Sequence, residues 1–294
     1  MHLWHLANSR IIRTSEPALM AILNTTPDSF SDGGKHNTIE TGLHAASGFL
    51  QHGVAIIDIG GESTRPGAAS VDPAEQIRRT VPLIAALRAR REFDEVAISI
   101  DTTRAEVAAA ALDTGADAIN DVSGLSDDRS AMLALLARTH AGYVLMHRLR
   151  PPPSDQFSDQ YAKSPTYNDV VLDVKDFLSR TLAALTQSGV SSNRVLLDPG
   201  LGFGKSVEQN LALIHRTGEL LDLGRPILSG LSRKSFVGRI SLGRDSDPSE
   251  RLEGTLALSK LHLETGARVF RVHDVGPVAL ALRAAWATMP IFRP

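Results

Sequence analysis

The chain has 294 residues, of which 43% are hydrophobic and 22% charged, and its formal net charge is −2 at pH 7. This composition is ordinary for a soluble globular protein and provides no broad basic field that would bind nucleic acid or an anionic membrane. The absence of cysteine excludes disulfides, thiolate metal sites and a cysteine nucleophile, and it suits a reducing compartment. We therefore expect a cytoplasmic protein with no nucleic-acid partner and no membrane partner.

The first seventeen residues, MHLWHLANSRIIRTSEP, lack the uninterrupted apolar core of a secretory signal. No run of eighteen apolar residues, the length of a transmembrane helix, occurs anywhere in the sequence. We expect residues 1–17 to be an N-terminal extension of unassigned structure and residues 18–294 to form a single domain.

From Ala18 onward, short β-branched strands alternate with longer segments of helical periodicity. The predicted strands begin at Ala18, Val54, Val96, Ala116, Gly142, Arg194, Arg225 and Arg268. The predicted helices span residues 38–52, 73–91, 104–114, 129–139, 168–188, 206–223, 249–265 and 277–288. Strands that are apolar on both faces and separated by helices pair in parallel. Eight such units predict an α/β fold of the (β/α)8 TIM-barrel type, with a doubly wound open sheet as the alternative.

Every predicted strand ends in residues that can form hydrogen bonds or ionise. They are Asn24, Asp58, Asp101, Asn120 with Asp121, His147, Asp198, Ser229, and Arg271 with His273. At a single position, a turn or capping role explains such a residue equally well. The same pattern in all eight strands favours a site at the carboxyl end of the barrel, where barrel enzymes hold their chemistry.

The glycine-rich segment DIGGESTRPGA, residues 58–68, follows the second strand. Its paired glycines allow the backbone to approach a ligand closely, and Thr64 and Arg65 add a hydroxyl and a planar cation. A glycine-rich turn with a surface arginine is the alternative. We interpret the segment as part of a site for phosphate or carboxylate.

Two later segments also favour an anion site. In SGLSRKSF, residues 229–236, Ser232, Arg233 and Lys234 come just before a predicted helix start, which can bind an anion. In RVFRVHD, Arg271 and His273 lie two residues apart on a strand and face the same way. A structural histidine is the alternative, but an arginine at the end of the eighth strand favours phosphate.

The segment DPGLGFGKS, residues 198–206, does not have the spacing of a phosphate-binding loop, because Pro199 stands where a glycine is needed. We interpret Asp198 as a strand end and Phe203 as a ring placed to stack on a flat ligand. Lys205 is either close to that ligand or an ordinary surface lysine at a helix start.

Asp101, Asn120 and Asp198 suit a flat heterocycle with amino and lactam edges, because carboxylates accept parallel N–H bonds and a carboxamide complements the rest. Metal binding by the same two carboxylates and the asparagine is the competing interpretation. The sequence has neither HExxH nor clustered histidine ligands. It therefore favours Mg²⁺ shared with a substrate phosphate over a dedicated metal cage.

Nine segments, in order, resemble the dihydropteroate synthases of folate biosynthesis over nearly the whole chain. They are ILNTTPDSFSDGG, DIGGESTRPGA, SIDTTR, INDVSG, VLMH, LDPGLGFGK, LSRKSFVGR, RLEGTLA and RVHDV. The resemblance implies a transferase that joins 6-hydroxymethyl-7,8-dihydropterin diphosphate to 4-aminobenzoate and releases diphosphate with the help of Mg²⁺. It also implies a dissociative reaction, a mobile lid in the loop after Asn24, and a homodimer.

The resemblance further implies a role for each matching residue. Pterin would contact Asp101, Asn120, Met146, Asp198, Lys234 and Arg271. Aminobenzoate would contact Thr64, Arg65, Phe203 and Ser232. Diphosphate would contact Asn24, Thr64, Arg271 and His273, and Asn24 would also be the metal ligand. The catalytic residues would be Asp101, Lys234, Arg271 and His273.

Residues 147–171, HRLRPPPSDQFSDQYAKSPTYNDVV, form a longer connection than the family usually has after the fifth strand. Their Pro-rich, polar composition predicts a flexible or irregular loop, either an insertion or a contact with a second subunit.

Three other functions stay open: a pterin-binding methyltransferase barrel, a catalytically silent pterin-binding paralogue, and an unassigned phosphate-binding barrel. The methyltransferase barrel would lack the group formed by Ser232, Arg233 and Lys234.

Overall fold

Short strands and intervening helices account for most of the chain in the computed structural model, which describes residues 3–25 and 37–289. The strands are β1 (Leu3–His5), β2 (Ile11–Arg13), β3 (Ala18–Asn24), β4 (Ile56–Gly60), β5 (Ala97–Asp101), β6 (Ala118–Asp121), β7 (Gly142–Met146), β8 (Val195–Asp198), β9 (Leu228–Ser229) and β10 (Val269–Val272). The helices are α1 (Asn37–Leu50), α2 (Pro73–Arg88), α3 (Ala105–Asp113), α4 (Arg129–Arg138), α5 (Val170–Gln187), α6 (Val207–His215), α7 (Thr217–Leu221), α8 (Ser235–Leu242), α9 (Leu252–Thr265) and α10 (Val275–Thr288).

Eight of the strands pair in parallel in the order β8-β7-β6-β5-β4-β3-β10-β9. A parallel bridge between Leu197 and Ile227 joins the two ends of this order, and the Leu197 N–H donates to the Pro226 carbonyl at 3.0 Å. The sheet is therefore closed. The predicted single-domain (β/α)8 barrel is confirmed, and the open-sheet alternative is wrong.

Each barrel strand is apolar on both faces because its two faces pack against two different hydrophobic clusters. One side packs against the surrounding helices in a large cluster that includes Ile57, Ile98 and Phe270. The other side fills the barrel interior, where each of the eight strands contributes a buried side chain. These are Met20, Ile56, Ala97, Ala118, Val144, Leu196, Leu228 and Val269.

The N-terminal residues, whose structure the sequence left unassigned, form an antiparallel hairpin of β1 and β2 that packs against the bottom of the barrel. Trp4 is wholly buried, and its Nε1 donates to the Arg194 carbonyl at 2.8 Å. Between the strands, Asn8 Nδ2 and Arg10 Nε donate to Asp117 Oδ1 at 2.9 and 3.1 Å. Since Asp117 precedes β6, the hairpin covers the end opposite the predicted site.

The helices depart from prediction between β8 and α9. The predicted helix over residues 206–223 is broken at Arg216, whose φ of −105° and ψ of 20° interrupt the turn between α6 and α7. The Arg216 guanidinium is bound to Asp169 at 2.8 Å and Glu219 at 2.7 Å, which holds the break in place. Helix α8 begins directly after Lys234, where a helix start is expected, and it precedes α9.

Residues 26–36, which include the loop expected to act as a lid, lie outside the described residues. Among the helices that are described, none is both long enough and apolar enough to cross a bilayer.

Candidate functional site

The register of the barrel places three predicted site residues, Asn24, Asp101 and Asn120, along its carboxyl-terminal rim. Asn24 pairs with Gly60, Gly60 with Asp101, and Asp101 with Asn120, so the ends of β3 to β6 are level. A Cβ at Gly60 would lie only 3.4 Å from Asn24 Oδ1 and 3.5 Å from Asp101 Cβ. The Asn24 and Asp101 side chains therefore both lie next to Gly60, at about van der Waals distance from that position. Further round the rim, Met146 at the end of β7 pairs with Asp198 at the end of β8.

Arg271 joins this rim through two carboxylates. Its Nε donates to Asp58 Oδ2 at 2.6 Å, and its other donor nitrogen reaches Asp101 Oδ2 at 2.5 Å. Asp58 Oδ2 also accepts from Asn120 Nδ2 at 3.0 Å, while Oδ1 accepts from the Ser99 hydroxyl. The guanidinium is thus held in one orientation by charge-assisted hydrogen bonds to two different carboxylates.

Asp101 has an oxygen left for a ligand. Its Oδ1 is buried and has no hydrogen-bond partner among the described residues. Burial raises the pKa of Asp101 to about 7, the nearby Arg271 guanidinium opposes this rise, and the Asp58 carboxylate adds to it. A buried acceptor without a partner is costly, so this oxygen is well suited to receive an N–H from a bound molecule.

Asp198 and Lys234 form a second charged group on the opposite part of the rim. Asp198 Oδ1 accepts the Gly200 N–H at 2.7 Å, and burial raises its pKa although Lys234 opposes the rise. Lys234 Nζ donates to the Leu201 carbonyl and lies 4.2 Å from the centroid of the Phe203 ring. Burial lowers the pKa of Lys234 to about 8, with Asp198 acting against it. The group offers an acceptor, a donor and an aromatic face close together.

Ser232 and His273 lie together at the ends of β9 and β10. Ser232 Oγ is 3.1 Å from His273 Nδ1 and accepts the His273 backbone N–H at 3.2 Å. Burial and the Arg271 charge lower the pKa of His273 to about 3, so its imidazole is neutral at physiological pH. The expected anion site of three consecutive residues needs one correction. Arg233 forms a two-pronged pair with Asp274, with Nε at 2.7 Å from the carboxylate, and this pair occupies its guanidinium.

Thr64 and Arg65 lie in the loop that follows β4. Thr64 lines a cavity of about 550 Å³ between this loop and residues 148–153. Arg65 is exposed, and its positive charge is one of those that lower the pKa of His273. Among the described residues, no hydrogen bond joins either side chain to Asp58, Asp101 or Arg271.

Two buried residues of the site were not assigned a role from the sequence. Asp58 is fully buried and joins Asn120 to Arg271. The available signal was an acidic residue inside an otherwise apolar strand. Lys205 is also fully buried, so the surface-lysine interpretation is wrong, and burial lowers its pKa to about 7.

The described residues contain no group of three or more histidine, cysteine or acidic side chains arranged to hold a metal ion. Asn24 contributes a neutral amide oxygen at the rim, beside Asp101. A cation bound there would need further oxygen ligands from water or a bound substrate.

Comparison with known proteins agrees with this geometry. Residues 20–273 match the pterin binding enzyme family. Dihydropteroate synthase of Synechocystis sp. is 45% identical over 268 residues, covering 91% of this chain and 88% of that protein. The Escherichia coli K12 enzyme of the same name is 40% identical over 275 residues, covering 94% and 93%.

Solved structures give the same result. A Xanthomonas albilineans dihydropteroate synthase with 4-aminobenzoic acid has a TM-score of 0.86 and 38% identity, covering 97% of this chain and 98% of that one. The same organism's enzyme in complex with 7,8-dihydropteroate has a TM-score of 0.82 and 35% identity, covering 97% and 99%. The chain therefore belongs to the pterin-binding enzymes and, within them, to the dihydropteroate synthase family.

Proposed function

We propose that this protein is an active dihydropteroate synthase, which joins 6-hydroxymethyl-7,8-dihydropterin diphosphate to 4-aminobenzoate and releases diphosphate. The observation that carries the proposal is the unpartnered Asp101 Oδ1, which lies in the same rim as Asn120, Arg271, Asp198 and Lys234. These groups combine acceptors, donors and charge around one opening, as a flat bicyclic ligand with a charged leaving group requires.

The pterin edge would be recognised by Asp101, Asn120, Asp198 and Lys234. Asp198 uses one oxygen for the Gly200 N–H, and its other oxygen is the one that a Cβ at Gly230 would approach, at 3.5 Å. That second oxygen is suited to accept ring N–H groups, and Lys234 is suited to donate to a ring carbonyl. Met146 and Arg271 would pack on the two faces of the ring.

The diphosphate would be bound by Asn24, Thr64, Arg271 and His273. Arg271 supplies positive charge, and a neutral His273 whose Nδ1 accepts from Ser232 has its other ring N–H available for a phosphate oxygen. Aminobenzoate would occupy the neighbouring space, against Thr64, Arg65, Phe203 and Ser232.

In the reaction, the bond from the pterin methylene carbon to the diphosphate oxygen breaks, and its electron pair leaves with the diphosphate. The positive charge that develops on the pterin is offset by the ionised Asp101 carboxylate. The aminobenzoate nitrogen then donates its lone pair to the methylene carbon and loses a proton to solvent. None of these steps needs a side-chain nucleophile, so the protein acts by positioning and electrostatics.

We further propose that the divalent ion is Mg²⁺ and that Asn24 holds it. The donor set fits such an ion only when it is shared with diphosphate, because the Asp58 and Asp101 carboxylates already bind Arg271. Mg²⁺ commonly takes one or two protein oxygens and completes its shell with water and phosphate. When bound, it would neutralise charge on the departing diphosphate.

A cytoplasmic homodimer is also part of the proposal. The cysteine-free composition is compatible with a reducing compartment. Light scattering of the purified protein would give its mass, and a monomer at micromolar concentration would contradict the dimer.

Diphosphate release by the purified protein with Mg²⁺ tests the function. We expect release only when pterin diphosphate and 4-aminobenzoate are both supplied, with dihydropteroate formed in equal amount. Release without the aromatic amine would indicate a hydrolase. A folded protein that binds pterin and forms no product would be the silent paralogue.

A further inference from the structure

A long connection, residues 147–169, joins β7 to α5 and lies between two of the loops proposed to bind aminobenzoate. We call it the β7–α5 segment. Apart from one short 3-10 turn at Pro152–Ser154, it has no regular structure. On one side, the Pro152 carbonyl accepts the Gly67 N–H at 2.8 Å, in the loop that carries Thr64 and Arg65. On its other side, the segment contacts the turn that carries Phe203.

Gly204, the residue after Phe203, is held by two hydrogen bonds from this segment and lies close to Leu149. Its N–H donates to Asp155 Oδ2 at 2.9 Å, and its carbonyl accepts from the Tyr167 hydroxyl at 3.0 Å. Its φ is +67°, and a Cβ there would lie 2.3 Å from Leu149 Cβ, so only glycine fits. Both backbone hydrogen-bonding groups of Gly204 are therefore fixed from outside its own turn.

The groups that hold Gly204 are buried or half-buried and keep their donor and acceptor roles. Asp155 is buried, and its Oδ1 accepts from the Tyr161 hydroxyl. Burial and the Asp155 contact raise the pKa of Tyr161, and burial raises the pKa of Tyr167. Both phenols therefore stay protonated at physiological pH and continue to donate.

Lys205 ties the same turn to the end of β7. Its Nζ lies 3.0 Å from His147 Nδ1 and 2.9 Å from the carbonyls of both Gly200 and Phe203. Burial and the charge of Lys205 lower the pKa of His147 to about 2, so this imidazole is a neutral acceptor. When protonated, Lys205 has three N–H donors, and an acceptor lies within reach of each.

The part of the turn closer to the proposed pterin site has its own supports. The Gly200 N–H donates to Asp198, the Gly202 N–H donates to Asn210 Oδ1 at 2.7 Å, and the Leu201 carbonyl accepts from Lys234. The Gly204 bonds to Asp155 and Tyr167 are not among these supports, although Asn210 Nδ2 also donates to Ser158 Oγ of the β7–α5 segment at 3.1 Å. A change at Gly204 should move Phe203 more than it moves Lys234.

We propose that the β7–α5 segment, through Asp155 and Tyr167, positions Phe203 and thereby sets the affinity of the enzyme for the aminobenzoate ring. Lys205 and His147 also hold this turn, because Lys205 contacts His147 and the carbonyls of Gly200 and Phe203. This inference rests on the proposed function, and it makes Asp155 and Tyr167 positioning residues that contact neither substrate.

Steady-state kinetics of Tyr167→Phe and Asp155→Ala test the proposal. Tyr167→Phe removes one hydrogen bond, so we expect the KM for 4-aminobenzoate to rise about fivefold to tenfold. Asp155→Ala leaves the Gly204 N–H without its acceptor and should raise that KM at least as much. Asp155→Asn keeps an acceptor oxygen and should restore most of the affinity. In all three variants, kcat and the KM for pterin diphosphate should stay within about twofold of the parent.

Tyr143→Phe is the matched control, because its hydroxyl donates to Asp121 at 2.6 Å in the core, away from this turn. It should lower the melting temperature without changing the ratio of the two KM values. Equal rises in both KM values for Tyr167→Phe, or no rise in the aminobenzoate KM, would overturn the positioning role. If the parent protein, without any substitution, forms no dihydropteroate, the proposed function is refuted instead. In that case, calorimetric binding of 4-aminobenzoate still tests the positioning, since Tyr167→Phe should weaken it by the same factor.

Discussion

Replacing Asp58 with asparagine tests whether the charge of this buried carboxylate organises the barrel mouth. Asp58 Oδ2 accepts from Arg271 Nε at 2.6 Å and from Asn120 Nδ2 at 3.0 Å, and Oδ1 accepts from the Ser99 hydroxyl. An asparagine with its carbonyl in the place of Oδ2 keeps the first two bonds. Its amide can donate to the Ser99 oxygen, since a hydroxyl also accepts. The variant therefore removes one negative charge and preserves the hydrogen-bond pattern.

The size of the effect follows from that single change. A hydrogen bond to a charged partner contributes about 1.5–3 kcal/mol and a neutral one about 0.5–1.5 kcal/mol, so the contact with Arg271 weakens by about 1–2 kcal/mol. This difference lowers kcat/KM for pterin diphosphate by roughly fivefold to thirtyfold.

The pH dependence should change in a defined direction. The Asp58 charge is one of the causes that raise the pKa of Asp101 to about 7. Removing a nearby negative charge favours the ionised form, so the pKa of Asp101 falls in the variant. The reaction requires ionised Asp101, and activity is lost as the pH falls through that pKa. The acid limb of the kcat/KM profile should therefore move to lower pH in Asp58→Asn.

Initial rates of diphosphate release across the acid limb, at saturating 4-aminobenzoate, provide the measurement. Ser99→Ala is the control, because it removes one hydrogen bond to Asp58 and keeps the charge, so its acid limb should stay in place. An acid limb that stays put or moves to higher pH in Asp58→Asn would refute the reasoning. So would a kcat/KM within twofold of the parent.

Three further predictions concern the bottom of the barrel, the metal and the pterin edge. Trp4→Ala should lower the free energy of unfolding in urea by about 3–5 kcal/mol, because it empties a fully buried site; a loss below 1 kcal/mol would show that the hairpin does not support the barrel. Asn24→Ala should raise the Mg²⁺ concentration needed for half-maximal activity, and an unchanged requirement would place the ion elsewhere. Lys234→Ala and Asp198→Ala should each weaken pterin binding at least about tenfold in calorimetry while keeping a cooperative melting transition, and full binding in either variant would contradict the role of that residue.

The barrel could be predicted from the sequence because its strands carry a strong local signal. A strand buried on both faces reads as a continuous apolar run, and the helices between such runs permit only parallel pairing. The break at Arg216 could not be predicted in this way, since the residues on both sides have helical periodicity. It depends on Asp169, which is 47 positions away in the sequence.

The sequence predicts which residues reach the rim of the barrel, but it does not predict how they pair there. Polar strand ends indicate the rim because parallel strands end at the same side of the barrel. The central role of Asp58 depends on Arg271, which is 213 positions away, and no local pattern shows that pairing. The burial of Lys205 could not be predicted either, because it depends on contacts with two backbone carbonyls and with His147.

At the rim, the pKa values of Asp101 and Lys234 shift in opposite directions for the same reason, which is burial. Burial raises the pKa of Asp101 to about 7 and lowers that of Lys234 to about 8. Burial disfavours the charged form of each group, so it narrows from both sides the pH interval in which both are charged. The same exclusion of water strengthens each charge toward a bound substrate, because the local dielectric constant is lower than that of water. A more exposed rim would widen this pH interval and weaken the electrostatic stabilisation of the transition state. The acid limb measured for Asp58→Asn reports the separate contribution of the Asp58 charge to the pKa of Asp101.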